Sequence, residues 1–461
     1  MSDSSGIGLF GALFDRGAVD VSDEAWLQAM LDTEAALARA VERAGLAPPG
    51  SGAAVTAVAR SGLFDNGALG AAAASTGNPV PALVRALTQL LPESAAGAAG
   101  AVHRGATSQD IIDTAVMLLA RQGLGAILAD LRVAASGCAA LANDHADTVM
   151  SGRTLLAQAV PVTFGLVAAG WLTAIDEARR DLHRIRTSRL AVQFGGAAGT
   201  LASLGDAGPA VAALLAVELG LAEPVLPWHT NRHRIIELGA ALTGACAVVG
   251  KIARDITLLA QTEVAEARED TGTGRGGSSA MPHKHNQVAS IVILGCTKQA
   301  PGLLATLAAT SEQEHQRAAG AWHAEWQPLT HLLALTGSAS AWTPDLLAAL
   351  QIDPQKMRAN AEAANGLPQA EHLAAILTPA LGPLPAHDLL TEATTRAVTK
   401  GIPLADALLT NPEAAALLSE SGLTRADIES ALRPESYLGA SAEFIRRALA
   451  AHQTCDATLT A

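Results

Sequence analysis

The sequence predicts an all-α protein with a short-helix head, a long-helix body and a short-helix tail. Three observations carry this. Hydrophobic residues make up 49% of the chain and aromatics only 3%, so the apolar content is mainly Ala, Leu and Val. Ala and Leu are the best helix formers, and small alanines let helices approach closely. The middle of the chain holds stretches at helical spacing that run far beyond an ordinary globular helix, whereas Pro and Gly punctuate both ends. A chain of 461 residues suits three domains of about 150 residues. We expect them at 1–110, 111–350 and 351–461.

Glu24 to Ala44 reads as an amphipathic helix with Trp26, Met30, Leu37 and Val41 at helical spacing. Gly45 is a natural stop, and Pro48 and Pro49 bar continuation. Shorter helical patterns follow, broken at Gly77–Pro81 and at His103–Asp110. Ile127 to His145, Thr163 to Leu190 and Arg232 to Ala267 read as long helices. The last would span roughly 54 Å at 1.5 Å per residue, a length that suits a bundle. A further helix is expected to start near Asn286 and run past Pro301, kinking there, and another from His323 to Leu350 across Pro328 and Pro344. Beyond Asp353 the helices shorten between Pro368, Pro379, Pro383, Pro385 and Pro403.

The formal net charge is -13, which argues against nucleic acid or anionic membranes as partners. An anionic small substrate remains compatible, because a site can be locally cationic. Cys138, Cys246, Cys296 and Cys455 form no C-x-x-C pair and read as free thiols in a reducing cytoplasm. Met1 to Ala12 lacks the pattern of a secretory signal. Leu155 to Ile175 is uncharged and long enough to span a bilayer, but Gln158, Pro161, Thr163 and Thr173 favour a helix buried all round.

Arg268 to Asn286 reads REDTGTGRGGSSAMPHKHN. Gly272, Gly274, Gly276 and Gly277 make it a loop, and Ser278, Ser279, Lys284 and Asn286 follow. A hydroxyl and a cation on one loop suit a lid over an anionic substrate; by composition alone an exposed linker fits equally well. His283 and His285 lack further evident ligands, so no metal or other cofactor is expected.

The string Gly277-Ser278-Ser279-Ala280-Met281-Pro282-His283-Lys284-His285-Asn286 resembles the G-S-S-x-M-P-x-K-x-N motif of the fumarase/aspartase superfamily. Two more superfamily regions stand in order: Gly105-Ala106-Thr107-Ser108-Gln109-Asp110 after His103, and Gly152-Arg153-Thr154 leading to Pro161. The resemblance implies three helical domains, a central bundle that builds a homotetramer, and active sites shared among subunits. It implies that Ser278 transfers a proton at carbon, that Lys284 and Asn286 bind carboxylate, and that Thr107 and Ser108 hold the other end of the substrate. Arg153 and Asn78 join the substrate-binding set, although Asn78 equally suits a plain turn. His103 joins it for its closeness to Thr107, its other reading being a helix-terminal polar residue.

Within the superfamily, several strings resemble the bacterial 3-carboxy-cis,cis-muconate cycloisomerase branch. They include Trp26-Leu27-Gln28-Ala29-Met30-Leu31-Asp32, Gln193-Phe194-Gly195-Gly196-Ala197, Pro227-Trp228-His229-Thr230 and Gln313-Glu314-His315-Gln316-Arg317. That branch implies substrate carboxylates held by Lys284 and Arg317. Many superfamily members carry a histidine after G-R-T, paired with a glutamate beyond the loop; here those positions hold Leu155 and Ile291. Loss of both halves reads as concerted, since a lone buried carboxylate costs several kcal/mol. A reaction without that acid suits a leaving group that is already a stable anion. Lactonisation of 3-carboxy-cis,cis-muconate through an enediolate fits, as does nitrite loss from nitrosuccinate. An inactive homologue is disfavoured by the retained Ser278, Lys284 and Asn286. Gln287 and Ala157 depart from the usual proline and glutamine. Trp322 and Trp326 share a helical face and read as packing. His229 and His233, four apart, read as caps or solvent-facing residues.

Overall fold

Helix α1, Asp23–Arg43, begins where Ser22 accepts the Ala25 backbone N–H at 3.2 Å. Asp23 and Glu24 in its first turn suit the helix dipole. Its far end is a Schellman turn: Gly45, at φ 75°, donates to the Glu42 carbonyl, and Leu46 donates to that of Val41. Glycine reaches this left-handed conformation without a Cβ clash. Leu27, Met30, Leu31, Leu37 and Val41 are buried, and so is one charge, Glu34. The structure is a computed structural model that describes residues 9–270, 276–277, 281, 284–420 and 422–460.

Helix α2, Val80–Gln89, follows the Gly77–Pro79 turn. Helix α3 covers Ser108–Asp144, starting well before the expected Ile127. Gly123 does not break it, because that glycine marks a close approach: a Cβ there would lie 3.3 Å from the Val19 side chain. Helix α4, Phe164–Arg184, is preceded by the hairpin β1, Val149–Thr154, with β2, Ala157–Thr163. The uncharged stretch from Leu155 to Ile175 is therefore not one buried helix. It is a turn, a strand and half a helix, because strand pairing overrides its helical composition.

Helix α5, His233–Leu259, ends earlier than the spacing predicts. Ala265 turns at φ 51° and the chain continues as β3, Ala267–Glu269, paired antiparallel with β4, Leu350–Ile352. The expected kinked helix is two helices, α6, Val288–Thr297, and α7, Ala300–Ala309, with Pro301 in the first turn of α7. There the missing N–H costs nothing. Helix α8, Ala321–Ala348, contains both Pro328 and Pro344. Towards the C-terminus, α9, Ala370–Leu381, and α10, Pro383–Lys400, enclose a local core with Leu373, Leu377, Leu390, Leu408 and Ile428.

The chain forms two compact units. One comprises Met1–Arg132, Glu177–Lys251 and Ile291–Pro344; the other comprises Val133–Asp176, Ile252–Ser290 and Asp345–Ala461. Among the described residues, four helical stretches are long and apolar enough to cross a membrane by length and composition: Ser108–Asp144, Ala202–Leu219, His233–Leu259 and Val288–Ala309. All four cysteines are buried and none is in a disulfide, and burial pushes the Cys246 thiol up to about 11.

The β1–β2 turn is held by Leu155 and Leu156, both left-handed at φ 50° and 68° and both exposed. Two-residue hairpin turns of this kind favour Asn-Gly. Replacing Leu155-Leu156 by Asn-Gly is expected to raise stability by about 1 kcal/mol, checked by the denaturation midpoint.

Candidate active site

Thr107 precedes the first residue of α3, Ser108. Asp110, one turn in, accepts the Thr107 backbone N–H at 3.0 Å, half of a capping box. The Thr107 hydroxyl accepts instead from Arg317 Nη1 at 2.8 Å. Asp110 is almost wholly buried. It also accepts the backbone N–H of Gly195 at 3.0 Å and of Gly196 at 2.9 Å. His229 Nε2 lies 2.7 Å from its Oδ1. His229 is thus buried against Asp110 rather than facing solvent. His233, by contrast, is exposed.

Arg317 Nη2 donates to the carbonyls of Gly196 and Ala197 at 3.2 and 2.9 Å. None of its hydrogen-bond partners among the described residues is a carboxylate, so its positive charge faces only neutral oxygens. Gly196 is required at this junction: its φ is 68°, and a Cβ would sit 2.7 Å from the Gly105 carbonyl.

Beneath lies a second network. Arg232 is buried and donates to Asp113 at 2.7 and 3.0 Å and to Glu325 at 2.6 Å. Burial works against the Arg232 charge, but Asp113 and Glu325 outweigh it and raise its pKa. One guanidinium serves two carboxylates, so burial, helped by Asp113, leaves Glu325 above the usual carboxylate range despite Arg232. Gln313 donates to Glu325 at 2.8 Å, and Trp322 Nε1 donates to Asp113 at 3.0 Å. Trp322 is buried as its spacing suggested, yet it also serves this network.

His103 stands in the turn before Thr107 at φ 55°. Its backbone N–H and Nδ1 reach the buried Glu34 carboxylate at 3.0 and 2.7 Å. Burial lowers the imidazole pKa, but the Glu34 hydrogen bond and charge, with Asp110, more than reverse this, so the net shift is upward. Asn78 forms a turn, its side-chain oxygen accepting the Val80 N–H at 3.1 Å.

In the other unit, Arg153 donates both terminal nitrogens to Glu266 at 2.9 and 2.6 Å. Glu266 is buried and also accepts from Asn360 at 2.8 Å. On the Gly-rich loop, Asn286 N donates to Gly276 O at 2.8 Å, and Gly277 pairs with His285. Lys284 is exposed. Ser278 and Ser279 lie outside the described residues. Gln287 accepts the Glu269 backbone N–H at 2.6 Å, so this departure ties the loop exit to β3. Glu269 in turn accepts Ala289 N and Ser290 N, capping the start of α6. Leu155 and Ile291, which stand where many superfamily members carry the histidine–glutamate pair, are both exposed.

Residues 15–302 match a family described as "Lyase". The chain is 45% identical over 434 residues to a 3-carboxy-cis,cis-muconate cycloisomerase of Bradyrhizobium diazoefficiens, covering 94% of this chain and 95% of that one. The chain belongs to the lyase family of the fumarase/aspartase superfamily. It is 44% identical to a nitrosuccinate lyase of Streptomyces davaonensis, over 93% of this chain and 91% of that one. The solved 3-carboxy-cis,cis-muconate lactonizing enzyme of Pseudomonas putida superposes with a TM-score of 0.90 at 39% identity, covering 97% and 99% of the two chains.

For this lyase-family chain, the structure brings together Thr107 and Arg317, both named from the sequence, with His103 in the turn before Thr107; the sequence reading gave no role to Glu34, Asp113, Arg232 or Glu325. The one signal for Glu34 was a charge on the apolar face of α1, and for Arg232 a basic residue at the start of an apolar helix.

Two outcomes follow from the paired charges. The raised His103 pKa means that its pairing with Glu34 contributes full stability below the unfolded value of about 6.5. That contribution is lost as pH rises through the folded value. The stability gap between wild type and His103→Gln should therefore be larger at acid than at alkaline pH in urea titrations. Arg153→Met leaves Glu266 buried and unpaired and should cost about 3–5 kcal/mol of stability, read from the same titrations.

Proposed function

We propose that the protein is a cycloisomerase converting 3-carboxy-cis,cis-muconate into a carboxymuconolactone. The observation that carries this is the contrast between arginines. Arg153 and Arg232 are neutralised by buried carboxylates. Arg317 is fixed by a hydroxyl and two carbonyls and keeps its charge for an incoming anion. It stands beside the first turn of a 37-residue helix, whose N-terminal N–H groups also favour negative charge. High identity to cycloisomerases supports the substrate class.

One substrate carboxylate oxygen attacks the double bond. The C–O bond forms and the π electrons move onto the conjugated carboxylate, giving an enediolate. Arg317, Lys284 and Asn286 stabilise that charge. Ser278 delivers a proton to carbon and regains one from water. Thr107 and Ser108 orient the far carboxylate, with His103 as a second cation and Asn78 at the rim. Arg153 contributes by bracing β1 through Glu266. The nitrosuccinate lyase relative favours a second reading, β-elimination of nitrite, in which the same cations hold a succinate-like dianion.

The division at 110 and 350, a homotetramer and a cytoplasmic location belong to this reading, the last supported by four cysteines outside any disulfide. The buried ion network of Asp113, Arg232 and Glu325 speaks against lipid-spanning helices.

Incubation with 3-carboxy-cis,cis-muconate should remove its conjugated-diene absorbance. Absorbance that persists, with nitrite released from nitrosuccinate, would replace the first reading by the second. Ser278→Ala should abolish turnover, and Arg317→Met should raise KM by about 10–100-fold, the worth of a charged hydrogen bond.

A further inference from the structure

We propose that Asp110 is the positioning residue of the substrate-anion site, setting the place and plane of the Arg317 guanidinium without touching substrate. The proposal rests on the reading of Arg317 as the carboxylate binder. Arg317 has three hydrogen-bond acceptors: the Thr107 hydroxyl, the Gly196 carbonyl and the Ala197 carbonyl. Thr107 and Gly196 are both held by one atom, Asp110 Oδ2, through their backbone N–H groups at 3.0 and 2.9 Å. The second oxygen, Oδ1, takes Gly195 N at 3.0 Å and His229 Nε2 at 2.7 Å.

A helix cap needs only the bond to Thr107. The other three bonds bring segments remote in sequence to the same carboxylate, and their shared product is the pocket that seats Arg317. The carboxylate is 1% exposed, so it can neither reach an anion nor swing aside for one. Its charge is spread over four donors, which leaves the Arg317 charge to the ligand. A direct Asp110–Arg317 pair would cancel that charge; one intervening residue on each side transmits position without neutralisation. A misplacement of about 1 Å far from the chemistry can cost on the order of 100-fold in rate.

The test is steady-state kinetics on the full-length protein in a double-mutant cycle of Asp110→Asn with Arg317→Met, using the muconate absorbance assay. Positioning predicts that Asp110→Asn raises KM about 10-fold while kcat falls less than about 3-fold. In the Arg317→Met background the same change should alter KM by less than about 2-fold. Equal effects in both backgrounds, or an unchanged KM, would overturn the proposal. A KM unaffected by Arg317→Met would instead reject Arg317 as the carboxylate binder, a separate failure. Asp110→Glu keeps the charge and the cap but moves the carboxylate by one methylene, and it carries the cycle if Asp110→Asn does not fold. A near-native KM for Asp110→Glu would reduce Asp110 to a helix cap.

Discussion

The Asp110 carboxylate gathers the start of α3, the turn at Gly195–Gly196 and His229 around one buried charge. A buried carboxylate is costly unless every lone pair is met, and here four donors meet it. That requirement constrains its neighbours. Gly196 must stay glycine to let two backbone segments touch, and the Thr107 hydroxyl accepts from Arg317. The position of Arg317 is the consequence.

The same unit separates its charges by function. Arg232, Asp113 and Glu325 form a closed ion network that Gln109, Gln313 and Trp322 complete with further hydrogen bonds. A network of this kind contributes rigidity and uniqueness more than net stability. It also anchors Gln313, four residues before Arg317. An overall charge of -13 therefore coexists with an arginine whose hydrogen-bond partners, among the described residues, are all neutral oxygens.

The helical class, the α1 boundaries and the cap at Gly45 were legible because spacing and capping residues are local signals. The start of α3 was less legible: its first turns were read as short helical patterns, and Gly123 inside it marks a close approach to Val19. The end of α5 carried no stop residue; pairing of β3 with β4 ended it. The strand Ala157–Thr163 lay within the stretch Leu155–Ile175 that read as one buried apolar helix, since its alternation is weak. Glu34 and Arg232 were invisible as partners because nothing local marks a charge that another segment will neutralise.

The sequence by itself determined the helical fold and the family and offered candidate residues for an anion site, because these are carried by composition, periodicity and a long specific motif. Only the tertiary structure decided which arginine keeps its charge. Arg153, Arg232 and Arg317 are equivalent as letters; Glu266 and the Asp113–Glu325 pair neutralise the first two, whereas Arg317 hydrogen-bonds, among the described residues, to a hydroxyl and two carbonyls. That difference depends on contacts between residues tens to hundreds of positions apart, and it is the reason we propose the site at Thr107 and Arg317.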